Sequence, residues 1–350
     1  MGQVSIRETV IVVAVLCIAM LATAIVLSRD GAPPTAWRLD LGSPVTAGLT
    51  MHGDAVLAGT EAGELLAVDR IDGTVMWRAL LQAAPRGEIR VDQDRAYVRT
   101  DDGALSARDG RTGEPAWSTG PARVNTAPLL VDGLVILTTR DSEVVAFEAT
   151  TGRERWRTAM PALVQADLAD LDGLIVAGDI GGRMITLEPR TGAILEQVSR
   201  GGDFVGPILE SGGTVFAGPR SGLVALDPVG RELWSVETGQ PTRLPMLHLG
   251  GVLLADASPD LLAVDVETGE VRWRYTAQAL VVSFGAGGSF VLAGVHTGEV
   301  HGIDLATGER LWRFRTNAPV LATPLVDAPA GRAFFGGRDG TLYAIQTDER

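Results

Sequence analysis

The chain has 350 residues, of which 46% are hydrophobic and 21% charged, and its formal net charge is −13. An acidic chain without basic runs argues against nucleic acid and anionic membrane surfaces as partners. The only cysteine is Cys17, so the remainder of the chain can form neither a disulfide nor a thiolate metal site.

The first 36 residues differ in composition from the rest. After a short tail (1–8), residues 9–27 form an uncharged run of 19 residues, about 28 Å long as a helix and close to the thickness of a hydrocarbon core. We expect a transmembrane anchor, that is, an uncleaved signal; the alternative is a signal cleaved at Ala22–Ala24. Residues 28–36 form a short Pro/Gly tether that should keep the next domain near the membrane.

One motif recurs along residues 37–350, and it contains every tryptophan of the chain. The tryptophans are 39 or 40 residues apart, except for one double step of 78 that has Glu196 at its midpoint. A period of this length indicates one supersecondary unit copied along the chain. The tryptophans are Trp37, Trp77, Trp117, Trp156, Trp234, Trp273 and Trp312.

The motif reads Ala-x-Asp-x-x-Thr-Gly-x-x-x-Trp and predicts a strand, a tight turn and a second strand. The acid can accept N–H groups of the turn, and the glycine supplies a positive φ. The small residue suggests a close approach by another sheet; it is Ala67, Ala107, Ala146, Ala225, Ala263 and Ala344 in six copies. The predicted turn residues are Asp69, Gly73, Asp109, Gly113, Gly152, Gly192, Asp227, Gly230, Asp265, Gly269, Asp304 and Gly308.

Two further apolar runs precede each motif, which gives four short strands per period. This pattern predicts an all-β fold, an eight-bladed β-propeller of four-stranded antiparallel blades. The last unit, 340–345, has no tryptophan-bearing strand after it, whereas the chain begins with an orphan strand at Trp37. We therefore expect the N-terminal strand to complete the C-terminal blade and close the ring.

The repeat resembles the tryptophan-docking repeat of the quinoprotein-type (PQQ-like) β-propeller superfamily. That group includes pyrroloquinoline-quinone alcohol dehydrogenases and the outer-membrane assembly factor BamB branch. The resemblance covers the whole region after residue 36. It implies an exported propeller, on the periplasmic or extracellular side, with only residues 1–8 in the cytoplasm.

Metal and cofactor sites are weakly indicated. The repeated acids recur once per blade, so a ring holds them far apart, whereas a cation needs several oxygens around one point. His52 and His248 are isolated in sequence, and His296 with His301 lacks a clear third zinc ligand. The dehydrogenases that the repeat resembles typically carry adjacent cysteines at the quinone, and this chain has none there. We expect no catalytic, cofactor or metal residues.

Two classes of function follow. The first is a membrane-anchored, non-catalytic scaffold for protein–protein interaction in the bacterial cell envelope, similar to BamB. The alternative is a propeller that binds the quinone or another small molecule in its central funnel, as an oxidoreductase or a sensor. A convergent polar pocket would favour the alternative.

Overall fold

The computed structural model describes residues 31–347 except 93, 121, 200–203 and 221. The described residues form 33 strands and one short 3-10 helix at Ala328–Ala330. The predicted tail (1–8) and anchor (9–27) lie outside the described residues. Within the described part, no helix is long and apolar enough to cross a membrane.

The strands alternate apolar runs with glycine-containing turns, as the sequence predicts. In chain order they are β1 (Thr35–Asp40), β2 (Ala47–Gly48), β3 (Thr50–His52), β4 (Ala55–Gly59), β5 (Glu64–Asp69), β6 (Val75–Leu80), β7 (Pro85–Val91), β8 (Arg95–Thr100), β9 (Leu105–Asp109), β10 (Pro115–Ser118), β11 (Leu129–Val131), β12 (Leu134–Thr138), β13 (Glu143–Glu148), β14 (Glu154–Ala159), β15 (Ala169–Leu171), β16 (Leu174–Gly178), β17 (Arg183–Leu187), β18 (Ile194–Ser199), β19 (Phe204–Ser211), β20 (Thr214–Pro219), β21 (Gly222–Leu226), β22 (Glu232–Glu237), β23 (Leu247–Leu249), β24 (Val252–Ala257), β25 (Asp260–Asp265), β26 (Val271–Thr276), β27 (Val281–Gly287), β28 (Phe290–Val295), β29 (Glu299–Asp304), β30 (Arg310–Arg315), β31 (Leu325–Asp327), β32 (Arg332–Gly336) and β33 (Thr341–Gln346).

Eight antiparallel sheets confirm the predicted eight blades. Blade 1 is β3–β6, blade 2 β7–β10, blade 3 β11–β14, blade 4 β15–β18, blade 5 β19–β22, blade 6 β23–β26, blade 7 β27–β30, and blade 8 is β31, β32, β33 and β1. The first strands of neighbouring blades contact one another; for example, β3 contacts β7, and β27 contacts β31. These first strands therefore surround the axis of the ring.

The N-terminal strand closes the ring, as predicted. Strand β1 pairs antiparallel with β33, with Leu39 opposite Leu342 and Trp37 opposite Ala344. The Gln346 N–H also donates to the Pro34 carbonyl at 2.9 Å. The two ends of the chain therefore share one blade.

Blade 2 departs from the expected four strands. Its first strand, β7, bulges between Arg86 and Arg90. The short β2 pairs with the bulged edge in parallel, with Ala47 opposite Gly87. This fifth strand satisfies backbone groups that a bulge leaves unpaired.

The apolar core is divided among the seams between blades. Each of the eight buried clusters in the described part draws side chains from two neighbouring blades; one unites Leu57 and Leu65 of blade 1 with Ile89 and Val98 of blade 2. Strands buried on both faces account for the continuous apolar runs in the sequence.

The ring has two distinct faces. We call one of them the turn face. There the turn between the third and fourth strands of a blade contacts the turn between its first and second strands. In blade 1, for example, the Arg70 N–H donates to the Asp54 carbonyl at 3.0 Å. On the other, the loop face, the connection to the next blade meets the turn between the second and third strands. There Leu81 N–H donates to the Gly63 carbonyl at 2.7 Å.

Candidate functional site

The tryptophan of one blade docks on the turn of the next. Trp273, in the fourth strand of blade 6, lies against Gly308 in the turn of blade 7, and its indole N–H donates to the Leu305 carbonyl at 2.8 Å. A β-bulge just before the tryptophan places it opposite Ala263. The bulge turns the indole toward the neighbouring blade.

Five other tryptophans make the same contact. In every case the acceptor is the carbonyl three residues before the turn glycine. The donor–acceptor pairs are Trp37–Arg70 (3.3 Å), Trp77–Gly110 (3.2 Å), Trp117–Ala149 (2.9 Å), Trp156–Pro189 (2.7 Å) and Trp234–Val266 (3.0 Å). The facing glycines are Gly73, Gly113, Gly152, Gly192 and Gly269, in the same order.

The turn glycine is needed for two reasons, of which the sequence reveals one. Gly308 has a φ of +73°, a region that residues with a Cβ rarely adopt. In addition, a Cβ there would lie 2.6 Å from Trp273 Cδ2, far inside van der Waals contact. The indole therefore selects glycine independently of the backbone angle.

The small residue of the motif has a role in addition to the one expected. Ala263 lies opposite Trp273, and Gly302 in the same position lies opposite Trp312. A Cβ on Gly302 would collide with the ring of Trp312 itself. The small side chain thus makes room for the indole of its own blade, and Ala263 also lies in the buried cluster that blade 6 shares with blade 7.

Burial of the tryptophans is uneven. Trp234, Trp273 and Trp312 are buried, with 8–9% of their surface exposed. The other four, in blades 8, 1, 2 and 3, are half-buried.

Two seams lack the tryptophan–glycine contact. Between blades 4 and 5 the tryptophan position is the exposed Glu196, and the facing turn is one residue shorter: Gly230 N–H donates to Asp227, three residues back. Between blades 7 and 8 there is no turn for Trp312 to meet, because β33 and β1 come from opposite ends of the chain. An aromatic cluster of Phe314, Phe335 and Tyr343, with centroids 5.4–5.5 Å apart, fills that seam.

The repeated acids organise their own turns. Asp69 Oδ1 accepts from Ile71 N–H at 2.7 Å and Asp72 N–H at 3.1 Å, and Asp109, Asp265 and Asp304 make the equivalent pair of bonds. Hydrogen bonds from the backbone lower the pKa of Asp109, and the Arg272 guanidinium is the main cause of the lowered pKa of Asp265. No group of three potential metal ligands occurs in the part of the chain that the structure describes.

One histidine lies in a buried polar cluster at the seam between blades 6 and 7. His301 is 2% exposed, and its Nδ1 lies 2.7 Å from the Tyr275 hydroxyl of blade 6. Its Nε2 lies 3.1 Å from Glu299, which also accepts from Arg315 Nε at 3.1 Å. An ionised Glu299 requires the proton on Nε2, so Nδ1 accepts from Tyr275. Burial lowers the pKa of His301, and the bond to Glu299 opposes this effect.

The cluster borders a cleft of about 510 Å³ at the loop face, which Gln278, Thr297, Glu299, Arg315 and Thr316 also line. His296, considered with His301 as a metal pair, is exposed and has no part in the cluster. The sequence did not reveal this site, because Tyr275 and His301 belong to different blades. A signal existed: His301 occupies the position of Leu66 and Leu262 in other copies.

The loop face also carries exposed aliphatic side chains. They include Leu80 (72% exposed), Leu280 (43%) and Leu321 (42%), which lie at the ends and connections of blades 1, 6 and 7. The turn face exposes aliphatic groups as well, among them Ile71 and Val229, and such groups provide contact area for a protein partner.

Known proteins match this chain along most of its length. The family model described as outer membrane protein assembly factor BamB matches residues 26–167, 86–275 and 281–350. The BamB protein of Burkholderia pseudomallei is 27% identical over 320 residues, 84% of this chain and 82% of that protein. The BamB protein of Bordetella pertussis is 27% identical over 168 residues, 46% of this chain and 43% of that protein, so that match spans less than half of the relative.

A second kind of relative matches over a smaller region. The quinohemoprotein alcohol dehydrogenase ADH IIB of Pseudomonas putida is 31% identical over 150 residues, 35% of this chain and 21% of that protein.

Among solved structures, BamB from Moraxella catarrhalis superposes with a TM-score of 0.75 at 20% identity, covering 91% of this chain and 99% of that chain. The propeller fold, its tryptophan-docked repeats and the family match together identify the chain as a member of the outer membrane protein assembly factor BamB family.

Proposed function

We propose that this protein is a non-catalytic scaffold for protein–protein interaction in the bacterial cell envelope; relatives such as that of Burkholderia pseudomallei are named outer membrane protein assembly factors. The observation that carries the proposal is the extent of the match. The Burkholderia pseudomallei assembly factor aligns over 82% of its own length, whereas the dehydrogenase aligns over 21%. The sequence match to the assembly factor thus extends along most of that protein, whereas the match to the dehydrogenase is confined to a part of it.

The surface of the ring supports the same conclusion. We place the partner on the loop face, where Leu80, Leu280 and Leu321 are exposed. Burial of aliphatic side chains contributes about 25 cal/mol per Å² of apolar surface removed from water, which makes them suitable interface residues.

The proposal is tested by affinity purification of the tagged full-length protein from its native membrane after cross-linking. Leu280→Glu combined with Leu321→Glu should abolish recovery of the partner, because a carboxylate in an apolar interface is costly to desolvate. Ile71→Glu is the matched control: Ile71 is 53% exposed but lies on the turn face. Equal recovery from both variants, or no specific partner of the wild type, would count against the scaffold.

The finer localisation is part of the proposal. We propose that residues 9–27 anchor the protein in the membrane and that the propeller is exported. An apolar span of this length holds a protein in a bilayer effectively irreversibly, unlike a single lipid chain. Carbonate washing should leave the protein in the membrane pellet. A soluble mature protein beginning at Ile25 would show that the segment is only a signal.

The second candidate, a quinone-dependent oxidoreductase, is favoured only by the partial match to the dehydrogenase. Dye-linked alcohol oxidation by the purified protein, supplied with pyrroloquinoline quinone and Ca²⁺, distinguishes the two. Turnover above that of a heat-denatured control would favour the enzyme.

A further inference from the structure

Arg99 is a half-buried cation that has no hydrogen-bond or ion-pair partner among the residues that the structure describes. It lies near the end of β8 in blade 2, on the same face as Tyr97, whose side chain packs in the seam between blades 2 and 3. Its Nε is buried and has no hydrogen-bond partner. Burial lowers the pKa of Arg99, which reflects the cost of removing this charge from water.

Two other arginines in the described part also have a buried, unbonded Nε, but their terminal amino groups are bonded. Arg70 binds Asp327 at 2.7 Å and Asp54 at 3.2 Å, and Arg108 donates to the carbonyls of Gly113 and Leu80. Within the described part of the chain, the terminal amino groups of Arg99 make no hydrogen bond and no ion pair. Unlike Nε, these terminal amino groups are not fully buried, so they remain accessible to solvent.

The two carboxylates near Arg99 bond other groups, and neither makes a hydrogen bond to Arg99 among the described residues. Asp101 accepts from Arg86 Nε at 2.6 Å, and Asp167 accepts from Ala127 N–H at 2.9 Å. Arg86 and Arg140 oppose the charge of Arg99, while Asp101 and Asp167 favour it at longer range. Three guanidinium groups and two carboxylates thus share this region, so its cations outnumber its carboxylates in an otherwise acidic protein.

The backbone is shaped around this side chain. Arg99 lies opposite Arg86, at the start of the bulge in β7. Gly87 in that bulge has a φ of +71°, and a Cβ there would lie 3.5 Å from an Arg99 terminal nitrogen. One side of the guanidinium therefore faces the backbone of Gly87 in β7, the inner strand of blade 2, where no side chain lies between them.

We propose that Arg99 is the anchor of an anion-binding site at the inner part of the seam between blades 2 and 3, for a small carboxylate or phosphate. A guanidinium presents paired N–H donors that match the oxygens of either group, and Arg86 and Arg140 add positive charge. This site is separate from the loop-face contact proposed above, so either can fail without the other.

Isothermal titration of the full-length purified protein with malonate, and separately with inorganic phosphate, tests the site. The wild type should bind at least one probe saturably, and the identity of that probe distinguishes a carboxylate ligand from a phosphate. Arg99→Gln should weaken binding at least tenfold. Arg190→Gln, which removes a 77% exposed arginine paired with Asp132, should leave binding unchanged.

Arg99→Lys provides a second variant if the glutamine variant does not fold. It keeps the charge but not the paired donors, so binding should again fall about tenfold relative to wild type. Absence of saturable binding of both probes to the wild type, or undiminished binding by the Arg99 variants, would overturn the proposal.

Discussion

The seam between blades 6 and 7 and the seam between blades 4 and 5 are built on the same repeat but are held together differently. In the first, Trp273 covers Gly308 and donates to the Leu305 carbonyl. Its buried cluster also contains Tyr275 and Phe284. In the second, Glu196 replaces the tryptophan, and Phe204 is the one aromatic residue of the cluster in the described residues.

The two changes in the seam between blades 4 and 5 lie on opposite sides of it. Blade 4 lacks the tryptophan, and blade 5 lacks one residue of the turn that would receive it. A docked indole and a full-length turn depend on each other, because the indole reaches a carbonyl whose position the turn sets. The comparison indicates that tryptophan and turn act as one unit across the seam.

The largest expected effect is the difference between Trp273→Ala and Glu196→Ala. Truncating the buried indole should lower the free energy of unfolding by about 3–5 kcal/mol. The same truncation at the exposed Glu196 should change it by less than about 0.5 kcal/mol. Guanidinium denaturation of both variants measures the difference, and equal midpoints would show that docking does not stabilise the ring.

The glycine under the indole should be nearly as sensitive. Gly308→Ala and Gly133→Ala both place a side chain at a φ near +73°, which costs about 1–2 kcal/mol. Only Gly308 faces an indole, since nothing lies within 4 Å of a Cβ at Gly133. Overpacking should therefore destabilise Gly308→Ala by a further ~1–3 kcal/mol. Thermal unfolding of the pair isolates the contact, and equal losses would argue that only the backbone angle matters.

Restoring the tryptophan–turn contact in the seam between blades 4 and 5 should require two changes. Glu196→Trp together with a threonine inserted before Gly230 restores both halves of the unit and should stabilise the protein by about 1 kcal/mol. Glu196→Trp alone should give no gain, because the short turn does not present the carbonyl. Chemical denaturation of the single and double variants tests this, and an equal gain from both would remove turn length as the cause.

The smallest expected effect is a pH dependence at the seam between blades 6 and 7. Burial lowers the pKa of His301, although Glu299 opposes this, and Arg310 and Arg313 add to the lowering. The stability gained from a neutral His301 is complete above the unfolded pKa of about 6.5 and is lost as pH falls below it toward the folded pKa.

Unfolding measured from pH 7.5 to pH 5 should therefore show a smaller loss in His301→Leu than in the wild type. Leucine is a suitable replacement because Leu66 and Leu262 occupy the equivalent position in blades 1 and 6. The exposed His296→Leu should keep the wild-type loss. Parallel pH profiles for all three proteins would exclude His301 as the titrating group.

Much of the fold could be predicted because it depends on local and repeated features. The acid of a full-length turn bonds residues two or three positions ahead, as Asp304 does with Ala306 and Thr307. The closing strand could be predicted by counting, since one tryptophan strand had no blade and one blade had no tryptophan strand. The parallel strand β2 could not, because two residues are too short to leave a pattern.

The sequence by itself determined the period, the number of blades, the closure of the ring and the chemistry of the turns. Only the tertiary structure decided which carbonyl each indole reaches, why Gly302 faces Trp312, that Tyr275 meets His301 and that Arg99 lies without a partner. The physical reason is distance along the chain. A repeat and its turns are set by neighbouring residues. A seam joins groups that are distant in sequence, such as Tyr275 and His301, 26 residues apart, or Arg70 and Asp327, 257 residues apart, and these groups meet only after the blades have assembled.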